Sequence, residues 1–254
     1  MTKIGIFDSG IGGLSILREI HQLDRALDIY YIADTKNNPY GNKDRDFIIS
    51  RSIEIVSLLK QSGCSLIVVA CNTATAWAIE SLREKFPELA FVGVEPYINV
   101  INHREDLKDK RGVVFATPLT GDSARFKKLK SRLDPDSRLD VYLPKGLAAT
   151  IEENFFLSHE VLEKKVLNEI KSYPHEYDFY ILGCTHYPLV SKTLEKSFMA
   201  LMISPCSMVA QRVNKLVDHS SDNSIESFSK QNTFQYLQTD KESQWKALEY
   251  NQIF

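Results

Sequence analysis

Short apolar runs alternate along most of the chain with stretches in which apolar residues recur every three or four positions. Lys3–Asp8 (KIGIFD) is rich in β-branched residues and predicts a strand. After glycines 10, 12 and 13, the positions Leu14, Leu17, Ile20 and His21 have helical spacing. Asp28–Asp34 predicts a second strand. From Asp44 to about Gly63, Phe47, Ile48, Ile53, Val56 and Leu59 fit a helix. Ser65–Ala70 is apolar almost throughout, as a strand buried on both faces would be. A helix is expected over Thr73–Phe86, and FVGV closes this half.

The pattern restarts after Pro96. Gly112–Ala116, Leu139–Leu143 and Asp178–Gly183 predict strands. Helices are expected near Ser123–Arg132 and over Leu147–Tyr173, the latter broken around Leu157–Ser158. Later come a strand at Leu201–Ser204, a helix at Ser207–Val217, a strand at Phe234–Gln238 and an amphipathic end, Glu242–Tyr250. Strands alternating with helices imply an α/β fold with mainly parallel sheets. One echo stands out: VVACNTA and ILGCTHY are each an apolar strand running into a Cys, small or hydroxyl residues and a helical pattern. Their cysteines, Cys71 and Cys184, are 113 positions apart. The simplest reading is two similar doubly wound domains, each with a Cys at the carboxyl end of a central strand, where open α/β sheets bind ligands.

Composition narrows the function classes. A chain of 254 residues at roughly 150 per domain holds one or two domains. With 43% hydrophobic and 25% charged residues it is neither disordered nor collagen-like. A formal charge of −2 gives no basic excess to draw it to nucleic acid or anionic lipid. No segment approaches the ~20 apolar residues of a membrane span, and no leader pattern opens the chain, so a cytoplasmic location is expected. Cys64, Cys71, Cys184 and Cys206 should then be free thiols. Their spacing is not that of a zinc site, and no metal is expected.

Taken alone, Cys71 reads as a packed core thiol. Its place just before a helix, with Asn72 or Thr73 as cap, puts it in the positive field of a helix N-terminus, which favours a thiolate. Cys184 has the same context, with His186 two residues on and Pro188 at a plausible helix start. His186 could hold a proton for it. A Cys–His hydrolase would need one such thiol and leaves the second unexplained. Two equivalent thiols suit a reaction with two faces: one group removes an acidic hydrogen from carbon and the other delivers a proton opposite. The segment Asp8–Gly13 (DSGIGG) is a Gly-rich turn lacking the Lys of a phosphate loop. Asp8 and Ser9 nevertheless fall at a strand's carboxyl end, where Asp8 could position a proton and Ser9 could bind a carboxylate. Tyr40 and Gly41, in the loop Asp34–Gly41, could line a pocket. Thr117, Thr120 and Ser123 suit helix caps and could also hold an anion.

DSGIGGLS, DTxxxPYG, CNTA, TxxTxxS and GCTHYPL, in that order, resemble the motifs of the glutamate racemases, in the cofactor-independent aspartate/glutamate racemase superfamily. The likeness runs from Lys3 to about Leu189. It implies two α/β domains with the active site in the cleft between them, and we expect residues 1–96 plus 207–254 in the first and 97–206 in the second. It implies interconversion of L- and D-glutamate for peptidoglycan synthesis with no cofactor. Cys71 and Cys184 would be the two proton donor/acceptors, assisted by Asp8 and His186, with Glu152 supporting the second thiol. Asp8, Ser9, Tyr40, Gly41, Asn72, Thr73, Thr117, Thr120, Thr185 and His186 would contact substrate. A homodimer is expected. Some members also bind DNA gyrase, which makes a regulatory binding protein the alternative from another class. Within enzymes, the alternative is a racemase of aspartate or another acidic amino acid. A pyridoxal-dependent racemase is disfavoured, because no Lys stands in a Schiff-base context. The chain departs from the pattern at Leu143-Pro144, where Cys-Pro is usual, at Pro205-Cys206, where Asp-Ser is usual, and at Lys36-Asn37-Asn38. Cys64 and Cys206 receive no role.

Overall fold

The computed structural model describes residues 2–23, 25–220, 232–240 and 246–247, with backbone alone at 218–220. The chain divides into two units, residues 1–94 with 206–254, and residues 95–205. In chain order the first unit begins β1 (Thr2–Asp8), α1 (Leu14–His21), β2 (Leu27–Ala33), α2 (Arg45–Gln61), β3 (Leu66–Val69), α3 (Asn72–Lys85) and β4 (Ala90–Gly93). The second unit holds β5 (Gly112–Ala116), α4 (Pro118–Asp122), α5 (Ala124–Leu133), β6 (Leu139–Tyr142), α6 (Leu147–Asn154), α7 (His159–Ile170), β7 (Phe179–Gly183), α8 (Ser191–Phe198) and β8 (Leu201–Ile203). The chain then returns to the first unit with α9 (Cys206–Ser220), β9 (Thr233–Gln238) and β10 (Lys246–Ala247).

Among the described residues, the first sheet runs β10-β9-β2-β1-β3-β4, parallel except for β10, and the second runs β6-β5-β7-β8, parallel throughout. The order β2-β1-β3-β4 in one is matched strand for strand by β6-β5-β7-β8 in the other. Central strands β3, β5 and β7 are buried at every residue, which their unbroken apolar sequences require. Each fully buried Val, Leu or Ile there contributes about 1.5–3 kcal/mol. In the second unit Phe115 packs edge-on against Tyr180, 5.0 Å between ring centres, and against Tyr173 and Phe198, both at 6.0 Å.

Helix ends follow local chemistry. Asp44 caps α2 by accepting the Phe47 N–H at 2.8 Å. Ser123, in extended conformation, ends α4 and caps α5 through the Phe126 N–H at 3.1 Å. The break expected near Leu157–Ser158 is present, because Ser158 caps α7. Three details differ from expectation. The cap of α3 is Cys71 itself, not Asn72 or Thr73. Pro188 lies inside a 3-10 turn, Tyr187–Val190, and the α-helix begins only at Ser191. Beyond the shared four-strand order the first sheet carries the expected strand β9 and, unexpectedly, the short antiparallel strand β10. The amphipathic end Glu242–Tyr250 lies outside the described residues except for Lys246–Ala247, which pair with β9.

Candidate active site

In the order β2-β1-β3-β4, the chain steps from β1 to one side and later returns to β1's other side. The crevice outside the carboxyl ends of β1 and β3 is therefore the expected ligand position of this sheet, and that outside β5 and β7 is its equivalent in the other. Asp8 ends β1, and Cys71 follows β3 by two residues. Thr117 follows β5, and Cys184 follows β7 directly. The two thiols thus hold matching places in matching sheets.

In the first unit Cys71 is 5% exposed, and its extended backbone at the start of α3 turns the side chain back over the helix end. Its Sγ accepts the Ala74 N–H at 3.4 Å and lies 3.7 Å from Ser9 Oγ. A backbone donor and a helix N-terminus both stabilise negative charge on that sulfur. Asp8 is fully buried and accepts the Gly10 N–H at 2.8 Å. Gly13 allows this packing: a Cβ there would sit 2.9 Å from the Asp8 Cβ and 3.0 Å from the Ala70 Cβ. Asn72 and Thr73, next after the thiol, are buried. Both polar atoms of the Asn72 amide lack a hydrogen-bond partner among the described residues. Such a group costs about 1–3 kcal/mol unless something pairs with it.

In the second unit Cys184 Sγ stands 3.7 Å from His186 Nδ1, and His186 Nε2 stands 2.6 Å from Glu152 Oε2. They come from two stretches of sequence: the turn after β7, which carries Cys184 and His186, and α6, which carries Glu152. Thr185 and His186 are buried, and the Glu152 side chain is 15% exposed. A carboxylate on one nitrogen orients the ring so that the other faces sulfur, the arrangement that lets imidazole hold or pass a proton. Thr117 caps α4, and its hydroxyl bonds that of Thr120 at 2.9 Å. The Tyr187 hydroxyl, next after His186, is buried without a partner among the described residues. Burial and the neighbouring Cys184 push its ionisation well above the usual range, so it stays protonated.

One constellation joins two residues of the DTxxxPYG motif to a partner, Arg51, that had no sequence signal. Asp34, fully buried at the end of β2, binds Arg51 of α2 through two guanidinium nitrogens, at 2.9 and 2.8 Å. The Tyr40 hydroxyl donates to the same carboxylate at 2.7 Å. Burial alone would raise the Asp34 carboxyl, but the bonds from Arg51 and Tyr40 outweigh it and hold it below the usual carboxylate range. Arg51 stands 17 positions beyond Asp34 in a helix with no motif of its own, so only the fold brings the two together. Among the described residues, no group of three His, Cys, Asp or Glu could hold a metal, and no helix is long and apolar enough to cross a membrane.

No family model matches the chain. A glutamate racemase of Aquifex pyrophilus is 38% identical over 198 residues, 76% of this chain and 74% of that one. One of Cupriavidus pinatubonensis is 35% identical over 221 residues, 86% of this chain and 80% of its own. Among solved structures, the Escherichia coli glutamate racemase in complex with L-glutamate and the activator UDP-MurNAc-Ala has a TM-score of 0.74 at 26% identity, covering 92% of this chain and 88% of that one. The RacE1 isoform of Bacillus anthracis has a TM-score of 0.73 at 27% identity, covering 94% and 88%. An aspartate racemase of Picrophilus torridus, at 16% identity and a TM-score of 0.57, shares the fold. With such identity over most of both lengths, the chain belongs to the glutamate racemase family and is a cofactor-independent amino-acid racemase.

Proposed function

We propose that the protein interconverts L- and D-glutamate with two thiols, Cys71 and Cys184, acting on opposite faces of one α-carbon, and so supplies D-glutamate for peptidoglycan. The observation that carries this reading is the matched placement of the two cysteines, each buried after the third strand of the same four-strand order. The family supports glutamate as substrate, since relatives have been solved with L-glutamate and with D-glutamate.

In one direction the Cys71 thiolate takes the α-hydrogen as a proton. The C–H electron pair passes into the carboxylate, and the Cys184 thiol gives its proton to the opposite face. One C–H bond has broken, one has formed, and the thiolate now resides on Cys184. The reverse direction exchanges the roles. Ser9 and the N-terminus of α3 stabilise the anion on Cys71, and Asp8 holds the turn that carries Ser9. His186, backed by Glu152, takes up or returns the proton of Cys184. The orphaned Asn72 amide, with Thr73, Thr185, the cap Thr117 and its partner Thr120 inside α4, offers donors for the carboxylates and acceptor oxygens for the amino group. Tyr40 and Gly41 line the substrate's place from the loop after β2. A homodimer in the cytoplasm is the setting we assign, checked by sedimentation of the purified chain.

The test is circular dichroism of D-glutamate incubated with the protein, with the product analysed after reaction in D₂O. Decay of the signal to zero with deuterium at the α-position is expected. No decay and no exchange would end the proposal. Faster racemisation of aspartate than of glutamate would reassign the substrate.

A further inference from the structure

The loop that carries Tyr40 and Gly41 leaves β2 at Asp34 and consists of two short 3-10 turns, Thr35–Asn37 and Tyr40–Asn42, neither with a side-chain cap. Such a segment has little to hold it except what its side chains reach. They reach Asp34. Its carboxylate accepts two bonds from Arg51, one from Tyr40, two at 3.1 Å from the Asn37 amide and one at 2.9 Å from Thr239, just beyond β9. That saturates an ionised carboxylate, which has about four lone-pair sites. Thr239 also accepts the Lys36 N–H at 3.2 Å, and Thr35 donates to Asp240.

This arrangement excludes two roles and leaves one. Asp34 cannot serve as a base, since its oxygens are filled and its carboxyl is held low by Arg51 and Tyr40. The Tyr40 hydroxyl cannot donate to substrate while it donates to Asp34, and burial beside that carboxylate keeps it protonated. With the Tyr40 ring buried, what the loop has left to offer is its backbone at Tyr40–Gly41. We propose that Asp34 and Arg51 are positioning residues: the buried ion pair sets loop 35–42 in the conformation that presents Tyr40 and Gly41 to substrate. Asn37, part of the departure Lys36-Asn37-Asn38, adds this chain's own pair of donors to the same hub. The inference rests on the proposed placement of Tyr40 and Gly41 at the substrate.

The test compares full-length R51A, R51K and Y40F with the native chain, by steady-state glutamate racemisation, melting temperature and hydrogen exchange of the amides in 35–42. R51A should raise KM for glutamate about tenfold or more, with kcat changed much less, because a bond to a buried charge is lost while the thiols are untouched. R51K should restore part of that loss, since it returns charge but not the two-pronged geometry. Y40F should raise KM in the same direction, and R51A/Y40F should be no worse than about the poorer single variant, since both act through Asp34. Exchange should accelerate in 35–42 alone. A lowered melting temperature with native KM and native loop exchange would make the pair a purely structural one and overturn the inference. If R51A does not fold, R51K and Y40F decide by the same two readings. A native chain that fails to racemise glutamate defeats the functional proposal instead. The exchange measurement then still decides whether the pair holds the loop.

Discussion

At the scale of single residues, the two thiols and their immediate partners can be told apart by what their removal does. Cys184→Ala should lower kcat in both directions by about 10²–10⁴-fold, the usual contribution of one acid–base group, with little effect on melting. Chiral analysis of the products measures it. Glu152→Gln keeps the shape but removes the charge behind His186, 2.6 Å away. Its expected cost is about 10–100-fold in kcat, the worth of one hydrogen bond to a charged group. Asp34 makes a separate, pH-linked prediction. Its carboxyl is lowered in the folded state, so its contribution to stability is fully present above the ordinary carboxylate range and is lost as pH falls through the lower folded value. Removing Arg51 takes away the group that holds it down. R51A should therefore be less stable than the native chain near neutral pH, and the gap should narrow as pH falls through the carboxylate range, read by urea titration at a series of pH values.

At the scale of elements, the structural duty of Cys71 separates from the catalytic one proposed for it. Its sulfur caps α3, and serine is among the best residues for that position. Cys71→Ser and Cys71→Ala should both be inactive, but only the alanine variant should lose about 0.5–2 kcal/mol of stability, read by urea titration. Gly183, the last residue of β7 before Cys184, is constrained differently. A Cβ there would lie 2.7 Å from the Phe115 carbonyl oxygen and 2.9 Å from Pro96. The backbone oxygen cannot move aside without disturbing the β5–β7 pairing. Gly183→Ala should cost about 1–3 kcal/mol and shift the strand that delivers the second thiol. These elements were largely legible beforehand. β3, β5 and β7 announce themselves by apolar runs, β1 by its β-branched residues, and α2 by its spacing and Asp44. The 3-10 turn at Tyr187–Val190 was not, because a Pro after a strand fits the first turn of either helix type.

At the scale of the whole molecule, the same β-strand order occurs twice, and in each copy a cysteine follows the third strand within two residues. A ligand that binds only the folded chain raises its apparent stability by mass action. D-glutamate at 100 times its dissociation constant should add about 2.7 kcal/mol, or roughly 5–10 °C in melting temperature for a chain of this size. L-glutamate should do the same, while a neutral amino acid of similar length should not. Differential scanning calorimetry of the full chain distinguishes these outcomes.

The amino-acid sequence by itself determined the alternation of strands and helices, the duplication, and the two cysteine motifs, because each is written in neighbouring residues: apolar runs, helical spacing, and Cys followed by small or hydroxyl side chains. Tertiary structure decided what depends on residues remote in sequence. Only folding sets Glu152 behind His186, 34 positions away. Only folding brings Arg51 and Thr239 to Asp34, one of them 205 positions distant. A hydrogen bond needs its atoms within about 3 Å. No local pattern of hydrophobicity encodes which distant side chain will arrive there; the packing of α2 against the first sheet and the pairing of β9 with β2 do.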